Sequence, residues 1–222
     1  MNTYKIAELF SSINGEGPRM GQLALFVRMQ GCNLNCAYCD TRWANGEDAR
    51  FHWMSTDDIL DVIRQVGIRN ITLTGGEPLL QEGVYELLEA MAAVPGVRIE
   101  IETNGSVPLQ NFLGLNQAVS FNMDYKLPGS GMEEQMCMDN FAVLRAQDTV
   151  KFVVSGYLDM CRARDLIREY RLTEKCHVFF SPAYHEIDPE EIVNFMKDNR
   201  MNDVTLQLQL HKIIWDSEMR GV

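Results

Sequence analysis

Leu23-Ala-Leu-Phe-Val-Arg28-Met-Gln-Gly31-Cys32-Asn-Leu-Asn-Cys36-Ala-Tyr38-Cys39-Asp40-Thr41 is the stretch on which the fold turns. It opens as a short apolar run bounded by glycine, which reads as a buried strand. Three thiols then follow within eight residues. Outward from it, six further runs read as strands: Asn70 to Thr74, Val97 to Glu102, Ala118 to Met123, Thr149 to Val154, His177 to Ser181 and Val204 to Gln209. Stretches of helical period separate them, as in Ile59, Val62, Ile63 and Val66, and that alternation builds parallel sheets. Ser55 with Asp58 three residues on marks one helix start. Asp188, Pro189 and Glu191 mark another, whose helix runs to about Asn199 and is expected to be the last. The least regular parts are Thr41 to Trp53 and Lys126 to Glu134.

Each strand is followed by something polar. After the first come the cysteines, after the second Gly75-Gly76-Glu77-Pro78, after the third Thr103-Asn104-Gly105, after the fourth Asp124-Tyr125-Lys126 and after the fifth Ser155. In a parallel barrel, open or closed, these loops share one face, and ligands bind there. Each loop alone can equally be a turn that needs its Gly or Asn.

The 222 residues are 46% hydrophobic and 23% charged, which excludes a disordered or fibrous chain. No repeat or Gly/Pro/Ser linker divides them, so a single domain over residues 1–222 is expected. A net charge of −11 opposes any sequence-independent grip on nucleic acid. No apolar run approaches the ~20 residues of a membrane helix, and the N-terminal segment lacks the layout of a secretion signal. Besides the cluster, Cys137, Cys161 and Cys176 are scattered. A reducing, cytoplasmic setting with one specialised thiol site is expected.

Thiolates are soft donors suited to zinc or iron–sulfur. Structural zinc wants a fourth protein ligand, and none stands at a matching spacing, since the next cysteine is Cys137 and His52 is isolated. Catalytic zinc and a redox thiol site stay open. Three cysteines on a cubane cluster would leave one iron free for a substrate ligand.

Cys-x-x-x-Cys-x-x-Cys with an aromatic residue, Tyr38, before the last cysteine resembles the signature of the radical S-adenosylmethionine (SAM) family. The resemblance implies a partial (β/α) TIM-like barrel with its active site at the C-terminal strand ends. It also implies a [4Fe-4S] cluster on Cys32, Cys36 and Cys39, with SAM chelated by the open iron and cleaved to a 5'-deoxyadenosyl radical. Gly75, Gly76 and Glu77 are similar to the family's SAM-binding turn, Glu77 accepting from the ammonium. Asn104, Asp124, Tyr125 and Lys126, with Tyr38, are the further SAM contacts implied.

Within that family, Glu8 to Gly17, Phe26-Val27-Arg28, Cys39-Asp40-Thr41 and the ending His211 to Trp215 with Arg220-Gly221-Val222 resemble the 7-carboxy-7-deazaguanine synthases. These contract 6-carboxy-5,6,7,8-tetrahydropterin to 7-carboxy-7-deazaguanine with loss of ammonia, in queuosine biosynthesis. The resemblance implies substrate contacts at Ile13, Asn14, Gly15, Glu16, Arg28 and Thr74, and a magnesium ion at Thr41. It implies no acid or base residue of its own, an electron donor such as flavodoxin or ferredoxin, and a homodimer. Two positions depart from the family pattern: Asn14, where Gln is usual, and Asp124-Tyr125, where Ser-Pro precedes the lysine. Arg28 can alternatively be a surface ion-pair residue, Thr41 a helix cap and His211 a structural histidine. The rival readings are a glycyl-radical-enzyme activase, which would need an open groove for a protein backbone, and a non-catalytic zinc-binding module.

Overall fold

The computed structural model describes residues 2–46, 48–217 and 219–222. Nine strands form one sheet: β1 (Thr3–Ile13), β2 (Leu23–Met29), β3 (His52–Ser55), β4 (Asn70–Gly75), β5 (Arg98–Thr103), β6 (Val119–Tyr125), β7 (Thr149–Val154), β8 (His177–Pro182) and β9 (Thr205–Leu206). Their order is β3-β1-β2-β4-β5-β6-β7-β8-β9. Every pair from β2 to β9 is parallel. β1 runs antiparallel to both β2 and β3. β3 and β9 are the edges, so the α/β sheet is an open, partial barrel. The helices are α1 (Thr56–Val66), α2 (Val84–Ala92), α3 (Asn140–Val143), α4 (Tyr157–Tyr170), α5 (Pro189–Asp198) and α6 (Leu210–Ile214).

The pleat sorts the side chains into two chemistries. On one face Leu73, Ile99, Ile101, Phe121, Met123, Val150 and Phe152 join Ile59, Leu87, Leu88, Met160, Ala163 and Leu166 of the helices in one apolar core. On the other face, alternate residues of the same strands are Thr72, Glu100, Ser120, Asn122, Lys151 and Ser181, all buried. Barrel interiors are usually filled with branched apolar side chains. This one is polar, and it forms the floor of a chamber.

Two strands depart from the sequence expectation, which began at residue 23. β1 is masked by a β-bulge between Ile6 and Glu8 that breaks its alternation. β3 lies at the end of the segment expected to be irregular. It is held by pairing with β1, and Lys5 Nζ lies 5.1 Å and 5.6 Å from the Phe51 and Trp53 ring centroids. Glu47, in that same segment, lies outside the described residues. The expected strand Val204 to Gln209 shrinks to β9, and α5 is followed by the short α6, so it is not the last helix.

The expected cap of α1 is a full capping box. Ser55 Oγ accepts from Asp58 N at 3.2 Å, and Asp58 Oδ2 accepts from Ser55 N at 2.8 Å. Ser55→Ala should lower the thermal midpoint by about 2–4 °C. A scanning-calorimetry midpoint unchanged within a degree would show that the box contributes nothing.

Candidate active site

The polar face and the loops at the C-terminal strand ends enclose a chamber of about 640 Å³. Cys32, Cys36 and Cys39, all free thiols, line it directly after β2. Their loop is braced from outside: Ala37 N donates to Ser130 O at 3.0 Å, and Arg42 Nη2 donates to the carbonyls of Cys36 (2.9 Å) and Ala37 (2.7 Å). Leu34 N and Asn104 Nδ2 reach Cys32 Sγ at 3.4 Å and 3.6 Å. Burial pushes the Cys36 and Cys39 thiols upward, whereas a reactive redox thiol needs a depressed value. Among the described residues no three His, Cys, Asp or Glu side chains converge closely enough to hold one metal ion.

Gly75 and Gly76 press the end of β4 against the end of β2. Gly76 N donates to Met29 O at 3.3 Å and Glu77 N to Gly31 O at 2.9 Å. Gly76 lines the chamber but Glu77 does not, and this corrects the expectation that Glu77 meets the ligand. Its side chain is 0% exposed and turns under the loop. There it accepts from Leu79 N (3.0 Å), Thr103 Oγ1 (3.0 Å to each oxygen) and Asn104 N (2.6 Å). Burial pushes its carboxyl up to about 7 even though these donors pull it down. Glu77 therefore ties the β4 loop to the β5 loop, and Asn104 faces the chamber as a result.

Asp124 and Lys126 line the chamber and Tyr125 does not. Consecutive residues of a strand point to opposite faces. Tyr125 consequently enters the apolar core, 2% exposed, its ring 5.3 Å from that of Phe141 and 5.7 Å from that of Phe152. Its hydroxyl donates to Glu133 Oε1 at 3.1 Å. The assignment of Tyr125 to the cofactor is thereby corrected. Lys126 Nζ donates to Asp124 Oδ2 at 2.8 Å, while Asp124 Oδ1 is buried with no partner. Tyr38 forms part of the wall, its hydroxyl donating to Val153 O at 3.3 Å.

On the opposite side Ile13, Asn14, Gly15 and Glu16 line the chamber with Thr74 and Arg28. Asn14, 3% exposed, takes Thr72 Oγ1 on its Oδ1 at 2.7 Å and leaves Nδ2 without a partner. Glu16 Oε2 accepts from Lys151 Nζ at 2.8 Å. Arg28 is half-buried, paired with Glu8 Oε2 at 3.1 Å, so it is a cavity residue that also carries an ion pair. Thr41 precedes a short 3₁₀ turn without capping it; its hydroxyl donates to Asp40 Oδ1 at 2.9 Å.

The residues suit the groups that the sequence implied. Three thiols form a soft donor set, and Asn14 Nδ2 and Asp124 Oδ1 are buried polar atoms left for a ligand to satisfy. Lys151, Trp43 and Arg220 are further lining residues that the sequence reading did not place there, and Glu102 joins them as the first residue of the Glu102-Thr103-Asn104-Gly105 stretch that the resemblance sets around SAM. Lys151 sits between Glu16 and Asp124 (3.6 Å). Burial opposes its charge, but Glu16, Asp124 and Glu102 outweigh that and hold it well above the usual lysine range. Glu102, half-buried in the chamber wall, has its carboxyl pushed up to about 7, chiefly by desolvation. Trp43 is flanked by the guanidinium carbons of Arg220 (4.1 Å) and Arg28 (5.9 Å). For Lys151 and Glu102 a signal exists, a lysine and a glutamate inside otherwise buried strands; for Trp43 there is none, and Arg220 was marked only by the resemblance of the C-terminal segment. His211 also reaches the chamber, against Gly15, and burial lowers its pKa.

The model of the radical SAM superfamily matches residues 26–125, which contain the thiols, the glycine turn, Asn104 and Asp124. The 7-carboxy-7-deazaguanine synthase of Clostridium acetobutylicum is 54% identical over 99% of both chains. That of Chlorobaculum tepidum is 34% identical over 98% of this chain and 96% of its own. Among solved structures, QueE from Escherichia coli superposes with a TM-score of 0.72 at 22% identity, covering 93% of this chain and 94% of that one; at that identity the likeness speaks for the fold. With full-length identity of this order and the thiol chamber in place, the chain belongs to the 7-carboxy-7-deazaguanine synthase family of radical SAM enzymes.

Proposed function

We propose that the chain converts 6-carboxy-5,6,7,8-tetrahydropterin to 7-carboxy-7-deazaguanine with release of ammonia. The observation that carries this reading is one chamber in which three thiols face a polar wall with unpaired hydrogen-bonding atoms. Cys32, Cys36 and Cys39 would hold a [4Fe-4S] cluster, which with SAM and an electron from a donor of the flavodoxin or ferredoxin kind would supply a radical able to take hydrogen from carbon.

The chain's own residues bind and orient. Asn14 Nδ2 offers a donor and Glu16 an acceptor to the amide and amino edge of a pterin. Arg28, turned into the chamber beside Trp43, offers a guanidinium to the substrate carboxylate. Thr41 supplies a hydroxyl of the hard-donor type that magnesium accepts alongside waters and substrate oxygens. Asn104, Asp124, Lys126, Gly76 and Tyr38 form the wall on the SAM side. The reaction needs the C–H bond and the radical held within a few ångströms, away from water, and the chamber gathers the thiols and the polar wall at the same strand ends. The dimer and the cytoplasmic location belong to the same proposal. No described helix is long and apolar enough to cross a membrane.

The test is anaerobic reconstitution with iron and sulfide, then SAM, dithionite, magnesium and carboxytetrahydropterin, with product measured by mass spectrometry. Product should form, and Cys36→Ala should lower its rate by more than about 10³-fold and remove the brown thiolate-to-iron absorbance. An intact cluster without deazaguanine product would favour the activase reading. A colourless protein with stoichiometric zinc would favour the zinc module.

A further inference from the structure

Asn45 stands where the cysteine loop and the Gly75-Gly76 turn come closest. Its backbone is fixed: Asn45 N donates to Arg42 O at 3.1 Å, and the preceding carbonyl, Ala44 O, takes Gly31 N at 3.1 Å. Its Nδ2 donates to Cys39 Sγ at 3.7 Å, an ordinary length for a bond to the larger sulfur atom. Its Oδ1 is buried with no partner, and a Cβ built on Gly76 would come within 2.6 Å of it. The glycine thus leaves the room this amide occupies. A buried carbonyl without a donor is unfavourable, so the amide accepts that cost while its donor end is committed to sulfur. Leu34 N and Asn104 Nδ2 reach Cys32 Sγ, and at Cys39 the backbone N–H of Thr41 joins Asn45 as a donor.

We propose that Asn45 is a positioning residue that sets the reduction potential of the iron–sulfur cluster through its N–H bond to the Cys39 sulfur. This rests on the reading of the three thiols as cluster ligands. Reduction adds an electron to a cluster already surrounded by thiolates, and part of the added charge resides on their sulfurs. An N–H dipole aimed at sulfur stabilises the reduced form more than the oxidised one and raises the potential. The cluster and its SAM ligand accept the electron during turnover, so this bond bears on how readily a donor can start the reaction.

Asn45→Leu keeps the shape and removes the donor. Asn45→Asp keeps the shape, removes the donor and adds negative charge. The midpoint potential of each reconstituted protein, without SAM or substrate, is read by EPR-monitored redox titration alongside iron and sulfide content. At a fixed potential the leucine variant should be about tenfold less reduced than the parent, a shift of ~59 mV for one electron, and the aspartate variant should lie lower still. A fully loaded leucine variant with the parent's midpoint overturns the proposal and leaves the cluster reading intact. If the leucine variant loads poorly, the aspartate variant decides by the same criterion. A parent protein that takes up no iron overturns the cluster reading itself, and the proposal with it.

Discussion

Gly76→Ala is expected to leave the protein unable to assemble a working site, with iron loading impaired and product formation lowered on the order of 10²-fold or more. The reason is backbone against backbone. A Cβ at residue 76 would lie within the van der Waals envelope of the Gly31 carbonyl and would also meet Asn45 Oδ1. A flexible side chain could rotate away, but Gly31 cannot, because its oxygen accepts from Glu77 N and its nitrogen donates to Ala44 O. Relief requires the β2 and β4 loops to separate, and Cys32 is the residue next to Gly31. Forcing a methyl group into a packed site costs typically 1–3 kcal/mol, and displacing a reacting group by about 1 Å costs on the order of 10²-fold in rate. Gly46 is the control: it lies in the same loop region, meets nothing within 4 Å of a built Cβ and has no left-handed φ. Gly46→Ala should keep iron content and turnover near the parent's. Equal iron content and turnover in Gly76→Ala and the parent would show that the close approach of the two loops is dispensable.

The same contact explains what the sequence could and could not disclose. A run such as Asn70 to Thr74, followed by two glycines, carries its strand and its turn in local chemistry, and seven parallel strands were legible in this way. β1 was not, because the bulge after Ile6 shifts its alternation and its pairing to β2 is a long-range choice. At the site, residue type located the thiols and the glycine turn, whereas direction was settled only by the pleat. Asp124 faces the chamber and Tyr125 the core because they are neighbours on one strand, an argument available from sequence once β6 is extended to residue 125. Glu77 could not be read in that manner. Its inward turn depends on Thr103 and Asn104, 26 and 27 positions away. Lys151 and Glu102 carried a visible signal, since a charged residue within a buried strand is costly unless paired. The identity of the partners required the third dimension.

That pairing supplies the second large effect, Lys151→Met. Lys151 is the cation at which carboxylates from three separate segments meet, Glu16 at 2.8 Å, Asp124 at 3.6 Å, and Glu102 through its field. Removing one partner of a buried pair leaves the others uncompensated and costs about 3–5 kcal/mol. The loss should depend on pH in a definite direction. Glu102 and Glu77 have folded values near 7, above the 4.5 of the free side chain. The folded chain therefore binds more protons than the unfolded one across that window, and their contribution to stability declines as pH rises through about 7. Lys151 itself, held well above 10.5, contributes fully until pH climbs beyond that range. Without its charge the Glu102 carboxyl rises further, so the variant should regain stability when acidified more steeply than the parent does. Urea unfolding at pH 8 and pH 5.5 measures both quantities: a deficit near the full value at pH 8, and a distinctly smaller one at pH 5.5. A deficit below about 1 kcal/mol at pH 8, or one that does not shrink on acidification, would mean that the floor of the chamber tolerates its negative charges without the lysine. The buried cation would then serve the substrate and not the fold, and the variant would remain stable with its turnover alone impaired.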